Sequence, residues 1–69
     1  MARHNNNQEV GFEDVEVLLD TGTALLVEIE EEKYWIPQSQ VSEDSEVWKK
    51  GDSGRLVISR WIAKEKGLI

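Results

Sequence analysis

The chain has 69 residues, of which 39% are hydrophobic, and it carries a formal net charge of −6. This length allows one small domain, and the absence of cysteine excludes disulfides and thiolate metal sites as a source of stability. No apolar run is long enough to cross a membrane and the N-terminus lacks the apolar stretch of a signal peptide, so we expect a cytoplasmic protein.

The N-terminal segment is polar and rich in asparagine, and it shows no periodic apolar pattern. Such a segment cannot bury enough apolar surface to offset the entropy lost on ordering. We therefore predict a flexible polar tail over residues 1–11 and a folded domain over residues 12–69.

Two segments, residues 13–20 and 23–30, alternate between apolar and polar positions, which is typical of strands with one buried face. Gly22, between them, can adopt the positive φ of a tight hairpin turn. The positions predicted to face the core are Val15, Val17, Leu19, Leu25, Val27 and Ile29.

A third short strand is predicted over residues 33–36 and ends at Pro37, which has no N–H to donate to a sheet. Its side chains alternate, so if Ile36 lies in the core then Trp35 points outward. The preceding Glu30, Glu31 and Glu32 are interpreted as a solvated turn.

The second half of the chain is predicted to be a loop over residues 38–45 with Val41 in the core, a turn over residues 51–54 and a strand over residues 55–59 with Leu56 and Ile58 inward. A short helical turn toward Gly67 ends the chain; a strand continuing through Trp61 is the alternative. This pattern predicts a mainly all-β fold, a small antiparallel SH3-like barrel of about five strands with a C-terminal helical turn. An OB-like barrel is the second choice.

Catalysis is not expected. The one histidine, His4, lies in the predicted tail, where nothing orients it, and no cysteine can act as a nucleophile. The acidic cluster at residues 30–32 lacks the spacing of a calcium loop, and residues 51–54 lack the spacing and lysine of a phosphate loop. We predict no enzyme activity, no cofactor and no metal.

Three tryptophans are many for a chain of this length, and two of them are flanked by basic residues. Tryptophan and arginine dominate binding hot spots, so a partner-binding site is predicted at Trp48, Lys49, Lys50, Arg60 and Trp61. The alternative is that the indoles fill a small core.

The charge is uneven, since residues 1–45 hold eleven acidic residues against Arg3 and Lys33 whereas residues 46–69 hold six basic residues against three acidic ones. The leading hypothesis is a non-catalytic module that docks on a protein partner, such as a nucleic-acid-handling enzyme or a host factor. A one-sided negative face could mimic a phosphate backbone and occupy a nucleic-acid-binding partner. The alternatives are an accessory protein that binds single-stranded nucleic acid weakly and an oligomer that sequesters a small molecule. We expect no membrane association and either a monomer or a small homo-oligomer.

The stretch from Thr23 to Ile29 (TALLVEI), the stretch from Tyr34 to Val41 (YWIPQSQV) and the stretch from Leu56 to Ala63 (LVISRWIA) resemble a family of small uncharacterised proteins of bacteriophages and related mobile elements. The resemblance covers most of residues 12–68. It implies a phage or prophage origin and brings no activity with it.

Deleting residues 1–8 should leave the melting temperature almost unchanged, because these residues carry no apolar anchors for the core. A thermal melt of the shortened chain beside the full chain measures this. A loss of several degrees would show that the segment makes stabilising contacts.

Overall fold

The structure is a computed structural model that describes residues 9–69. Its elements in chain order are β1 (Glu9–Asp20), β2 (Ala24–Ile29), β3 (Glu32–Pro37), a 3₁₀ turn (Gln38–Gln40), β4 (Ser53–Ser59) and α1 (Arg60–Glu65). The four strands form one open antiparallel sheet in the order β3-β2-β1-β4. The prediction of a mainly β domain with a short C-terminal helix is confirmed, whereas about five strands were expected and four are found in this part of the chain.

Strand β1 begins at Glu9, so the predicted boundary between tail and domain at residue 11 is too late. Residues 9–12 pair with the end of β4, and Val10 packs against the core beside Phe12. The guanidinium of Arg55 lies directly against Gly11. A Cβ at this position would come within 2.8 Å of the Arg55 Nε, so a larger residue would require Arg55 to move. The remainder of the predicted tail, residues 1–8, lies outside the described residues.

The first hairpin forms as predicted. Gly22 has a φ of 94°, and its N–H donates to the Asp20 carboxylate over 2.9 Å. The N–H of Thr21 donates to the carbonyl oxygen of Ala24 over 3.0 Å, which closes the turn.

The second hairpin has an unusual turn sequence. Ile29 pairs with Glu32, which leaves Glu30 and Glu31 as a two-residue loop with φ values of 52° and 72°. Positive φ at both loop positions is the hairpin geometry normally occupied by Asn-Gly, since a side chain with a Cβ is strained there. The interpretation as a turn is correct for Glu30 and Glu31, whereas Glu32 is the first residue of β3. The turn forms without glycine.

The core lies on one face of the sheet. The predicted inward residues Val15, Val17, Leu25, Val27, Ile29, Ile36, Leu56 and Ile58 are all buried, and so is Val41 in the loop after β3. Val47, Ile62 and Ala63 complete the cluster from the second half of the chain.

Leu19 was predicted to face the core, and this is wrong. Its side chain is 44% exposed, because the pairing of β1 with β2 shifts between Val17 and Leu19. Val17 lies opposite Val27 and Leu19 lies opposite Leu26, so Leu18 is an extra residue and the strand changes face there.

A second irregularity in β1 lies between Phe12 and Val15, which pair with Leu56 and Gly54 of β4. Asp14, within this bulge, has a φ of 58°. The extra residue lets Phe12 and Val15 both face the core, although they are three positions apart.

The sheet is strongly curled. The chain leaves β3 at one edge and, after the three residues of the 3₁₀ turn, Val41 bridges Ile58 of β4 at the other edge. Beyond it, the N–H of Ser42 donates to Val57 and that of Glu46 to Arg55, each over 2.8 Å. In a flat sheet three strand spacings would separate these edges by about 14 Å, whereas a 3₁₀ turn advances only about 2 Å per residue. The curl therefore brings the edges together around the core.

Helix α1 follows β4 directly, which decides against a continuing strand. The Ser59 hydroxyl accepts the N–H of Ile62 over 3.2 Å and donates to the Gln40 side chain over 2.6 Å. This hydroxyl is therefore an N-cap that also ties the helix to the 3₁₀ turn. With six residues in α1, no helix within residues 9–69 has the length and apolarity to span a membrane.

Replacing Glu31 by glycine should stabilise the domain by about 1 kcal/mol, because glycine adopts the required positive φ without strain. A thermal or urea melt measures the change. The matched control is Glu32→Gly at the first residue of β3, where φ is not positive, so glycine should destabilise the domain by up to about 1 kcal/mol. Equal effects from both substitutions would contradict the strained turn.

Candidate binding surfaces

The turn over residues 48–52 holds three of the predicted site residues, Trp48, Lys49 and Lys50. The Asp52 carboxylate accepts the N–H of Trp48 over 2.8 Å and that of Lys49 over 3.1 Å. These two N–H groups hold the pKa of Asp52 below its ordinary value of 3.8. The Trp48 indole N–H donates to the Ser45 carbonyl oxygen over 2.9 Å, and the side chain remains 39% exposed. The turn thus presents a fixed indole beside two exposed lysines.

This turn is attached to β1. The Val17 N–H donates to the Asp52 carbonyl over 2.9 Å, and the Gly51 N–H donates to the Val17 carbonyl over 3.0 Å. The adjacent Val47 is fully buried. The segment that carries the exposed indole is therefore fixed by the buried Val47 before it and by the hydrogen bonds to β1 after it.

The other two predicted residues, Arg60 and Trp61, form the first turn of α1. Trp61 is 61% exposed, which is the highest value among the tryptophans, and Arg60 is also exposed. The next two residues, Ile62 and Ala63, are buried in the core and fix the helix.

The structure does not unite the five predicted residues in one patch. The turn at residues 48–52 precedes β4 and α1 follows it, and β4 has seven residues. At about 3.3 Å per residue the two ends of β4 are roughly 20 Å apart. The predicted site consists of two clusters, each with one exposed indole and neighbouring basic side chains.

A third exposed tryptophan lies on the outer face of the meander, away from the core. Trp35, 43% exposed, pairs with Leu26, and Leu26 pairs with Leu19 on β1. Cross-strand partners on one face touch each other, so these three side chains form an apolar row across three strands. We call this row, Leu19, Leu26 and Trp35, the outer stripe.

Acidic side chains border the outer stripe. The next outward row contains Glu16 opposite Glu28, with Lys33 opposite Glu28 on β3. Glu16 and Glu28 also line an open groove of about 630 Å³, which we call the acidic groove. Its carboxylates are Glu13, Asp14, Glu16, Glu28, Glu30 and Glu31. Within residues 9–69 the one ion pair is Glu13 with Arg55, at 3.4 Å.

The acidic groove contains every non-glycine residue with positive φ in the described chain, namely Asp14, Glu30 and Glu31. Strained backbone of this kind concentrates at functional sites. The carboxylates do not converge on a point, since no group of three or more potential ligands in residues 9–69 has the arrangement of a metal site. The groove is a broad negative surface.

Sequence reasoning identified part of the outer stripe. Alternation places Leu26 and Trp35 opposite the core, but a strand without bulges places Leu19 inward, so the row of three could not be assembled. The carboxylates of the groove come from β1 and from the second hairpin, and only the sheet register brings them together.

No protein-family model matches the chain, and no curated protein or solved structure matches it. The resemblance to phage and mobile-element proteins therefore stays a prediction.

The turn at residues 48–52 should loosen in acid. Because the pKa of Asp52 is lowered, the stabilisation from its charged form is complete above the ordinary value of 3.8 and is lost as the pH falls through the lowered pKa. Amide NMR shifts of Trp48 and Lys49, followed down to about pH 2, should titrate together with a midpoint below 3.8. The variant Asp52→Asn should abolish this transition; its persistence would assign the transition to another group.

Proposed function

We propose that the protein is a non-catalytic binding module that docks on a protein partner. The observation that carries the proposal is the exposure of all three tryptophans, with Trp35, Trp48 and Trp61 at 43%, 39% and 61%. An indole left in water forgoes burial that a domain of this size needs for stability. Tryptophan is enriched in the hot spots of protein interfaces, so the indoles are better explained by binding than by folding.

The way in which the indoles are held supports the same function. Trp48 is fixed by its hydrogen bond to Ser45, and Trp61 stands on a helix capped by Ser59. Side chains that are ordered before binding lose less entropy when the partner arrives. The predicted basic neighbours, Lys49, Lys50 and Arg60, add charge at the rim of each cluster.

The family resemblance suggests where the protein acts and what kind of partner it binds. A phage or mobile-element protein of this kind would act in the host cytoplasm, and its partner would be a nucleic-acid-handling enzyme or a host factor. No catalytic step is assigned to the protein itself.

A second candidate function is binding of single-stranded nucleic acid, favoured by the pairing of each exposed indole with basic side chains. Bases stack on aromatic rings along positive grooves in such proteins. The net charge of −6 opposes it, because attraction to phosphate supplies much of that affinity. The two clusters also lie at opposite ends of β4 and form no continuous positive groove. Protein binding is therefore the better supported function.

We also infer that the curled sheet belongs to the SH3-like class of small barrels. Support comes from the 3₁₀ turn between the last two strands and from the short connection that carries the chain from the edge at β3 to the edge at β4. The backbone hydrogen bonds of Ser42 and Glu46 to β4 resemble those of a strand, so residues 41–46 occupy the place of a fifth strand. An OB-like barrel is the alternative.

The tryptophan clusters can be tested with Trp48→Ala and Trp61→Ala. Both variants should remain folded by circular dichroism and lose well under the ~3–5 kcal/mol that a buried aromatic side chain contributes. Immobilised wild-type protein should retain specific proteins from a bacterial lysate, and the two variants should lose them.

The control is Lys64→Ala, an exposed position on the same helix as Trp61, which should retain what the wild type retains. Unchanged retention by both tryptophan variants, or their unfolding, would refute the assignment. Fluorescence anisotropy with a labelled single-stranded oligonucleotide at about 50 and 200 mM salt tests the second candidate, because true strand binding weakens steeply with salt.

A further inference from the structure

The outer stripe is an exposed apolar surface with no cover in the described chain. Leu19 is 44% exposed and Trp35 is 43% exposed, and Leu26 lies between them in the cross-strand register. The row crosses three adjacent strands and is therefore about 10 Å long, enough to contact one or two side chains of a partner. It is built on three hydrogen-bonded strands, β1, β2 and β3, and the bulge at Leu18 is what turns Leu19 to this face.

The charges around the outer stripe determine what can cover it. Glu16 and Glu28 face each other directly in the adjacent row, and the acidic groove continues from that row to Glu30 and Glu31. Lys33 and Arg55 are the basic side chains that the register and the ion pair place near these six carboxylates. The field at this face is therefore negative, which attracts cationic partners and repels anionic ones.

This field argues against the other occupants. A second copy of the chain, packed stripe to stripe, would bring the carboxylates of both copies together and would leave them unpaired. Phosphate groups of a nucleic acid would be repelled for the same reason.

We propose that the outer stripe and the acidic groove together dock an extended, lysine- or arginine-rich segment of a protein partner that also carries apolar side chains. The proposal rests on the protein-binding function proposed above and names the surface and the chemistry of the partner. From Leu26 to the turn at Glu30 the surface runs about 13 Å, the length of about four extended residues. Apolar side chains of the segment cover Trp35 and its neighbours, and its cations lie against Glu16, Glu28 and the groove.

The test uses three synthetic peptides on the full chain, followed by ¹⁵N NMR shifts and fluorescence anisotropy. One peptide alternates lysine with leucine and valine, the second replaces its apolar residues with glycine, and the third replaces its lysines with glutamate. The first should shift the amides of Leu19, Leu26 and Trp35, bind at least about tenfold more tightly than either other peptide, and weaken as salt rises.

Two variants locate the site. Trp35→Ala should raise the Kd of the first peptide about tenfold, and Glu16→Gln with Glu28→Gln should do the same while reducing its salt dependence. The double variant relieves a like-charge pair, so it should fold at least as well as the wild type. The matched control is Glu43→Gln with Asp44→Asn, which removes two exposed carboxylates from the loop after β3 and should leave the Kd within about twofold.

The proposal would be overturned if millimolar peptide caused no shift at the outer stripe, or if the glycine or glutamate peptide bound as tightly as the first peptide. It would also be overturned if the control variant raised the Kd as much as the site variants do. Shifts of the outer stripe that depend on protein concentration without peptide would indicate self-association and would likewise reject it. These results leave the lysate test untouched, since that test depends on Trp48 and Trp61. Loss of retention there with no peptide effect here would keep the binding function and reject this surface.

Discussion

Strand β1 imposes the constraint on which the rest of this small sheet depends. It pairs with β2 over its second half and with β4 over most of its length, so it is the element through which the hairpins and the C-terminal half of the chain are joined. A straight strand of twelve residues cannot follow a sheet that curls enough for Val41 to reach Ile58. The two bulges supply the bend, because each adds a residue on one strand and increases the local twist.

The same bulges create the surfaces proposed for binding. The first places Asp14 in a left-handed conformation at the wall of the acidic groove while it keeps Phe12 and Val15 on the core. The second turns Leu19 outward to join Leu26 and Trp35. The bend that encloses the core therefore also exposes an apolar row beside a negative groove. A substitution that straightened β1 would alter both the fold and the surfaces proposed for binding.

The sequence predicts the regular parts of this fold and fails where the strand is irregular. Alternation identified the inward sides of β2, β3 and β4 and the outward position of Trp35, because successive side chains of an extended chain point to opposite faces of the sheet. It misplaced Leu19, because a bulge has no signature in a period of two, and it ended the tail at residue 11, because residues 9–11 gain their stability from a partner 45 or more positions away. The five residues proposed for binding were chosen by residue type, but their division into two clusters follows from the length of β4.

Exposure of three indoles on so small a domain has a consequence for its stability. The core consists of aliphatic side chains, with Phe12 and Tyr34 only packed against it, and the tryptophans lie at its surface. A domain that places its largest apolar side chains outside gives up burial worth about 1–3 kcal/mol for each of them.

Carboxylates that face each other, as Glu16 and Glu28 do, and left-handed glutamates in a hairpin turn reduce stability further. These losses fall on the outer face of the meander and on the two ends of β4, whereas the interior shows no buried side-chain polar atom without a partner in the described chain. A partner that neutralises the groove and covers the indoles would recover part of this free energy on binding, so the domain should be more stable in its complex than alone.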